Sequence, residues 1–104
     1  MKDKVYKVFT EREWIAFQKS GHFEGSKDDL RDGFIHLSTK GQVDGVIDRF
    51  FAGRGPLYVA EFSDPGFQQR LKWETVVSGE VYPHLYDSEL LASEVTSTTK
   101  LLNS

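Results

Sequence analysis

One stretch constrains the fold more than any other. Between Thr39 and Phe51, apolar residues recur as Val43, Val46, Ile47, Phe50 and Phe51, at i, i+3, i+4, i+7 and i+8. That is the apolar stripe of an amphipathic helix. Thr39 and Gln42 bracket its start as a capping box in the glutamine form. Asp44, Asp48 and Arg49 fall on other faces, and Gly53 with Gly55-Pro56 ends the segment. A helix from about Lys40 to Phe51 must lay this face across a sheet. Ile35 and Leu37 are expected beneath it, and Leu57–Phe62, nearly continuous in apolar character, is expected as a central strand.

The other elements follow from local signals. Val5–Phe9 is a short β-rich run, and Thr10 with Glu13 forms a capping box for a helix from Glu11 to Ser20, stopped at Gly21. His22 to Arg31 is polar and irregular; it reads as a loop with one helical turn at Ser26–Leu30, capped by Ser26, with Asp29 in the acidic third position. Phe34–Thr39 reads as a strand. Ser63-Asp64-Pro65 opens a helical turn to about Leu71, with Pro at its tolerated first position. Lys72–Val77 and Glu80–Tyr86 read as extended segments separated by Ser78-Gly79, and Pro83 marks the second as an edge or irregular strand. Asp87–Leu91 suits a turn, Glu94–Thr99 a last strand, and Lys100–Ser104 a frayed end. At 104 residues this is a single small domain, 1–104, of α+β class, with two main helices on a bent mixed or antiparallel sheet.

Composition excludes several function classes. A net charge of −3 gives no global basic field, so no extended nucleic-acid surface is expected. The absence of cysteine removes disulfides, thiolate metal sites and a cysteine nucleophile. Met1–Tyr6 has no apolar signal-peptide core and no run approaches membrane-spanning length, so a cytoplasmic, non-membrane protein is expected. There is no H-E-x-x-H, G-x-S-x-G, G-x-G-x-x-G or P-loop, so no metal centre, serine hydrolase or common nucleotide fold is indicated. The 13% aromatic share favours a well-filled core or an aromatic-lined pocket.

Three polar constellations carry potential chemistry. In an extended Phe34–Thr39, His36 and Ser38 share one face while Ile35 and Leu37 anchor the other. Thr39 stands where a helix begins, and a helix N-terminus suits an anion such as phosphate. The bland reading is a structural histidine and a plain N-cap. In Pro83-His84-Leu85-Tyr86, His84 shares a face with Tyr82 and Tyr86, which suits a polar ring; the bland reading is aromatics covering a core. In Lys72-Trp73-Glu74, Glu74 near the imidazoles would orient one of them or stabilise a developing cation, while Trp73 is a core or rim residue.

Taken in order, Asp32-Gly33-Phe34-Ile35-His36-Leu37-Ser38-Thr39, Gln42-Val43, Lys72-Trp73-Glu74 and Pro83-His84-Leu85-Tyr86 resemble the signature of domain-of-unknown-function family 952. The resemblance runs from Tyr6-Lys7 and Trp14 to beyond Tyr86. Tyr82 stands where the family usually has Phe, which adds a hydroxyl beside His84. The family's fold is similar to the ADP-ribosyltransferase class, a split, bent sheet that cradles NAD. On that similarity His36-Leu37-Ser38 looks like the H-x-S of the class, with His36 on the adenosine ribose and Ser38 placing the nicotinamide ribose. Glu74 is then the counterpart of the late catalytic glutamate, although Lys72-Trp73-Glu74 departs from the usual Q/E-x-E form. His84 and Tyr86 have no counterpart there and mark a different substrate.

The expectation is a histidine-lined cleft that binds or transforms NAD or a related phosphorylated nucleotide, as an ADP-ribosyltransferase-like transferase or a glycosyl-bond hydrolase. His36, Glu74 and His84 are its candidate catalytic residues; Ser38, Thr39, Trp73 and Tyr86 are its candidate ligand contacts. The alternative is a non-catalytic interaction module that uses an exposed surface of Tyr82, His84, Tyr86 and Trp73. An enzyme requires the histidines and Glu74 to converge in a concave pocket; the module requires a flat aromatic surface.

Overall fold

In the computed structural model, which describes residues 4–102, the chain runs β1 (Val5–Thr10), α1 (Glu11–Ser20), β2 (His22–Phe23), α2 (Lys27–Asp32), β3 (Ile35–His36), α3 (Val43–Val46), β4 (Leu57–Phe62), α4 (Pro65–Gln68), β5 (Leu71–Thr75), β6 (Val81–Leu85), β7 (Leu90–Leu91) and β8 (Ser97–Leu101). A 3₁₀ turn, Lys40–Gln42, leads into α3, and a π-helical turn, Ile47–Phe51, continues it. A second 3₁₀ turn, Ala92–Glu94, follows β7. The class is α+β.

Strands assemble in the orders β1-β4-β8, β3-β6-β5 and β2-β7, and every pairing between these strands is antiparallel. The two three-stranded sheets meet where Tyr6 and Ser38 exchange both backbone hydrogen bonds, at 2.8 and 2.9 Å. One residue earlier, Leu37 donates to the Pro83 carbonyl. The segment after β3 therefore crosses from β6 to β1 and bends the assembly there. Of the two expected forms, mixed or antiparallel, the described strands take the antiparallel one.

Local chemistry accounts for the helices. Thr10 and Glu13 satisfy each other's amides at the start of α1, and the Gly21 N–H closes its end on Phe17. The expected turn at Ser26 is the six-residue α2, with Ser26 and Asp29 in a reciprocal capping box. It ends at Gly33, whose φ of 86° is a left-handed conformation that glycine adopts without a Cβ clash.

The core forms on both faces of β4. Ala60 and Phe62 join Val5, Phe9, Phe17, Ile35, Leu37, Phe67, Leu85 and Leu90 on one side. Leu57 and Val59 join Val8, Val43 and Ile47 on the other, so the 43–47 segment packs on β4 and not, as expected, over Ile35 and Leu37. This explains the near-continuous apolar character of β4, which lies between β1 and β8 as expected.

Four further expectations are corrected. The Lys40–Phe51 helix is not one α-helix: 3₁₀, α and π turns succeed each other. A π turn inserts one residue, about 100° of rotation, so the apolar stripe loses phase. Val43 and Ile47 remain buried, but Phe50 is 59% exposed. Secondly, the strand expected over Phe34–Thr39 is confined to Ile35–His36, because Leu37 and Ser38 bond to different neighbours. Thirdly, Pro83 is not on an edge. Strand β6 is central, and Pro83's missing N–H falls on the β3 side, where Leu37 donates to its carbonyl and the ladder ends. Finally, the last strand is shifted to Ser97–Leu101, pairing Lys100 with Tyr58 and Leu101 with Leu57, so these two residues are not frayed. Asn103 and Ser104, also expected to fray, lie outside the described residues.

Candidate functional site

The register of β3-β6-β5 assembles the site. His36 pairs with His84, Lys72 with His84, and Glu74 with Tyr82. Period-two alternation then puts His36, Lys72, Glu74, Tyr82, His84 and Tyr86 on one face. Ile35, Trp73, Pro83 and Leu85 take the other. The rings of His36 and His84 stand 5.7 Å apart, edge to face. Phe34 packs against both, with centroids 4.6 Å from His36 and 4.0 Å from His84.

Each histidine is held by carboxylates. His36 Nδ1 lies 2.6 Å from Asp29 Oδ1, and its Nε2 lies 3.0 Å from Asp32 Oδ2. Its backbone N–H also donates to Asp29 Oδ1. His84 is almost fully buried and differs in kind. Its Nδ1 lies 2.7 Å from Glu74 Oε1, an oxygen that also accepts from the Tyr86 hydroxyl at 2.6 Å. Among the described residues Nε2 of His84 has no hydrogen-bond partner.

Asp29 is the buried hub. It sits at the third position of α2, 2% exposed, and accepts from the Ser26 and His36 amides, from the His36 ring and from Lys7 Nζ at 2.9 Å. Burial alone would push its pKa up. The His36 hydrogen bond, the Lys7 charge and hydrogen bond, and the Ser26 amide outweigh it and hold the carboxyl well below its usual range. Lys7 lies on the face of β1 that also carries Val5 and Phe9, and its ammonium is satisfied there by Asp29 and the His36 carbonyl. Asp32 is lowered by the Arg31 guanidinium first, with a smaller contribution from His36. Glu74 is lowered by the Tyr86 hydroxyl and then by His84, and Tyr86 is raised by Glu74 in return.

These residues border a cleft of about 610 Å³. His36, Ser38 and His84 line it with Asp29 and Asp32; Arg49, Phe50 and Arg54 line it from the π turn and the loop after it; Val77 and Tyr82 line it from the β5–β6 hairpin. The other expected contacts are elsewhere. Glu74 and Tyr86 reach the cleft only through His84. Trp73 packs against the main core cluster opposite Pro83. Thr39 starts the 3₁₀ turn, where its N–H donates to the Gln42 side chain. Among the described residues no three ligating side chains are arranged to hold a metal ion.

The family described as "Protein of unknown function (DUF952)" matches residues 8–98. The chain belongs to this family. The X-ray structure of protein CC0527 from Caulobacter crescentus is 40% identical, with a TM-score of 0.86 over 94% of this chain and 85% of that one. Its solution NMR structure is 39% identical, with a TM-score of 0.83 over 96% and 85%. No curated protein matches. Family membership therefore carries the fold across to CC0527 and leaves the chemistry to be argued from the site.

Lys7, Asp29, Asp32 and Phe34 were not among the individual site residues drawn from the sequence. Lys7 carried a usable signal: alternation in β1 places it between Val5 and Phe9 on the core face, and a lysine there requires a buried carboxylate. The only cue to Asp29 was its capping position, which names a local role and no distant partner.

Proposed function

We propose that the protein is an acid–base enzyme acting on NAD or a related phosphorylated nucleotide, with His84 as its proton-transferring group. The observation that carries this reading is the asymmetry of His84: Nδ1 is anchored on Glu74 and Nε2 has no partner at the cleft wall. With Nδ1–H directed at Glu74, the lone pair lies on Nε2, and the carboxylate stabilises the imidazolium that forms when Nε2 takes a proton. Glu74 is a positioning residue in this scheme, because its oxygen is committed to His84 and Tyr86. His36, bonded to Asp29 at Nδ1 and 3.0 Å from Asp32 at Nε2, fixes the geometry of the wall, while Ser38 lines the cleft beside it.

For a glycosidic bond such as that to nicotinamide, Nε2 takes a proton from the attacking water. The oxygen bonds to the anomeric carbon, the carbon–nitrogen bond breaks, and nicotinamide leaves as the neutral base with the bonding pair. A cleft of this size lies within the range of small-ligand and cofactor sites. The alternative of a flat recognition surface has less support, since His84 and Pro83 are buried and Trp73 packs on the core.

Titration with NAD, followed by histidine NMR signals and by release of nicotinamide, tests the reading. Both His36 and His84 signals are expected to move, and His84→Asn to lose turnover by about a hundredfold or more. Unmoved signals at millimolar NAD refute the nucleotide. Full turnover in His84→Asn refutes the role of His84.

A further inference from the structure

We infer that Arg49 and Arg54 form an oxyanion subsite of the cleft that takes the phosphoryl group of its ligand, with Arg49 braced by Tyr82 on the same strand as His84. The inference rests on the reading above only in using the same cleft. Its ground is the distribution of charge. Lys7 is neutralised by Asp29, and Arg31 by Asp28 and Asp32. Arg49, Arg54 and Lys27 also line the cleft, and among the described residues none of the three lies within ion-pair distance of a carboxylate; Arg49 and Arg54 come together from one segment, the π turn and the loop after it.

Neither guanidinium is loose. Nη2 of Arg49 donates to the Tyr82 hydroxyl at 2.7 Å, and that hydroxyl donates to Glu80 at 3.2 Å. Arg54 lies 5.6 Å from the centre of the Phe51 ring and reaches back to the Phe50 carbonyl. Both therefore hold a defined place while most of their N–H donors stay available, in the fork geometry that matches phosphate oxygens. Tyr82 and His84 are two residues apart on one face of β6, about 7 Å along the strand. An anion on Arg49 thus lies in the cleft that His84 also lines. The π turn that rotated Phe50 out of the core is what delivers residue 49 to this wall.

Calorimetric titration with AMP, ribose 5-phosphate, inorganic phosphate and uncharged adenosine tests the subsite on the full chain, with histidine NMR signals followed in parallel. Arg49→Gln and Arg54→Gln are each expected to weaken AMP about tenfold or more, the worth of a charge-assisted hydrogen bond, and to leave adenosine unchanged. Tyr82→Phe is expected to weaken AMP several-fold, and Arg12→Gln, on exposed α1, to do nothing. The three phosphate probes distinguish a nucleotide from a sugar phosphate or a bare anion. AMP affinity within twofold of wild type in both arginine variants overturns the subsite, as does equal binding of AMP and adenosine, or no binding of any phosphate at millimolar concentration. Arginine-dependent phosphate binding with an unmoved His84 signal supports the subsite and refutes His84 as the acting base. Adenosine binding that moves His84 without any phosphate effect does the reverse.

Discussion

Lys7→Met is the sharpest test of the buried hub. Methionine keeps most of the lysine stem and its packing beside Phe23, and removes only the ammonium. Nζ makes two hydrogen bonds of 2.9 Å, to Asp29 Oδ2 and the His36 carbonyl, with the lysine side chain 9% exposed and the aspartate 2%. Breaking a buried ion pair by removing one partner costs about 3–5 kcal/mol. Asp29 keeps the His36 ring and two backbone amides, so the lower end applies, about 3 kcal/mol, a large share of a stability of roughly 5–15 kcal/mol. Urea unfolding followed by far-UV circular dichroism measures it, with an unchanged m-value required. Arg31→Gln is the control. Its pairs with Asp28 and Asp32 are surface pairs, and the midpoint is expected not to move measurably. Asp29→Asn completes a double-mutant cycle, in which the coupling between Lys7 and Asp29 is expected to exceed about 1 kcal/mol. A Lys7→Met loss below about 1 kcal/mol would refute the reasoning, because the carboxylate would then be finding water that the buried geometry does not allow.

Acid unfolding should show the same residue. Asp29 has a folded pKa below its ordinary value near 3.8, so its contribution is complete above that value and is lost as pH falls below it. The expected excess slope rises towards a limit of about 1.4 kcal/mol per pH unit as pH falls below 3.8, and is absent in Asp29→Asn. Glu74→Gln should return the Tyr86 phenol towards its ordinary pKa, read by ultraviolet titration of tyrosinate, because the raising charge and its hydrogen bond are weakened together. Gly25→Ala should destabilise by about 1–3 kcal/mol in urea and perturb the His36 signals, since Gly25 has φ of 135° and a Cβ there would lie 2.9 Å from Asp29 Cβ. Phe50→Ser should cost less than about 1 kcal/mol, where a core phenylalanine would cost several times more.

What was legible in the sequence was what short-range chemistry decides. Thr10 and Glu13 cap α1, Ser26 and Asp29 cap α2, and Leu57–Phe62 is apolar on both faces because both are covered. Alternation also made His84 and Tyr86 legible as sharing a face within their own segment, whereas their sharing it with His36 and Glu74 rests on the register of β3-β6-β5. What failed depended on that register or on helix phase. Pro83 looks like an edge residue until its missing N–H is seen to coincide with the end of the β3 ladder. Phe50 completes an apolar stripe only for a helix that stays α throughout. Asp29 was visible as a cap, but its two long-range partners come from β1 and β3, and no local pattern announces them.

Under the proposed function the two histidines take different roles because their surroundings differ. Asp29 Oδ1 holds His36 Nδ1 at 2.6 Å, and Asp32 Oδ2 stands 3.0 Å from its Nε2. Lys7 ties the Asp29 carboxylate to β1, across the junction where Tyr6 meets Ser38. His36 is therefore part of what holds the two sheets at their angle, and the cleft exists because that angle is fixed. His84 is anchored at one nitrogen only, against Glu74 and Phe34. The rigid ring shapes the space and the half-anchored ring has a nitrogen left to act in it. Removing His36 should therefore cost stability first and activity as a consequence, while removing the Nε2 lone pair of His84 should cost activity alone.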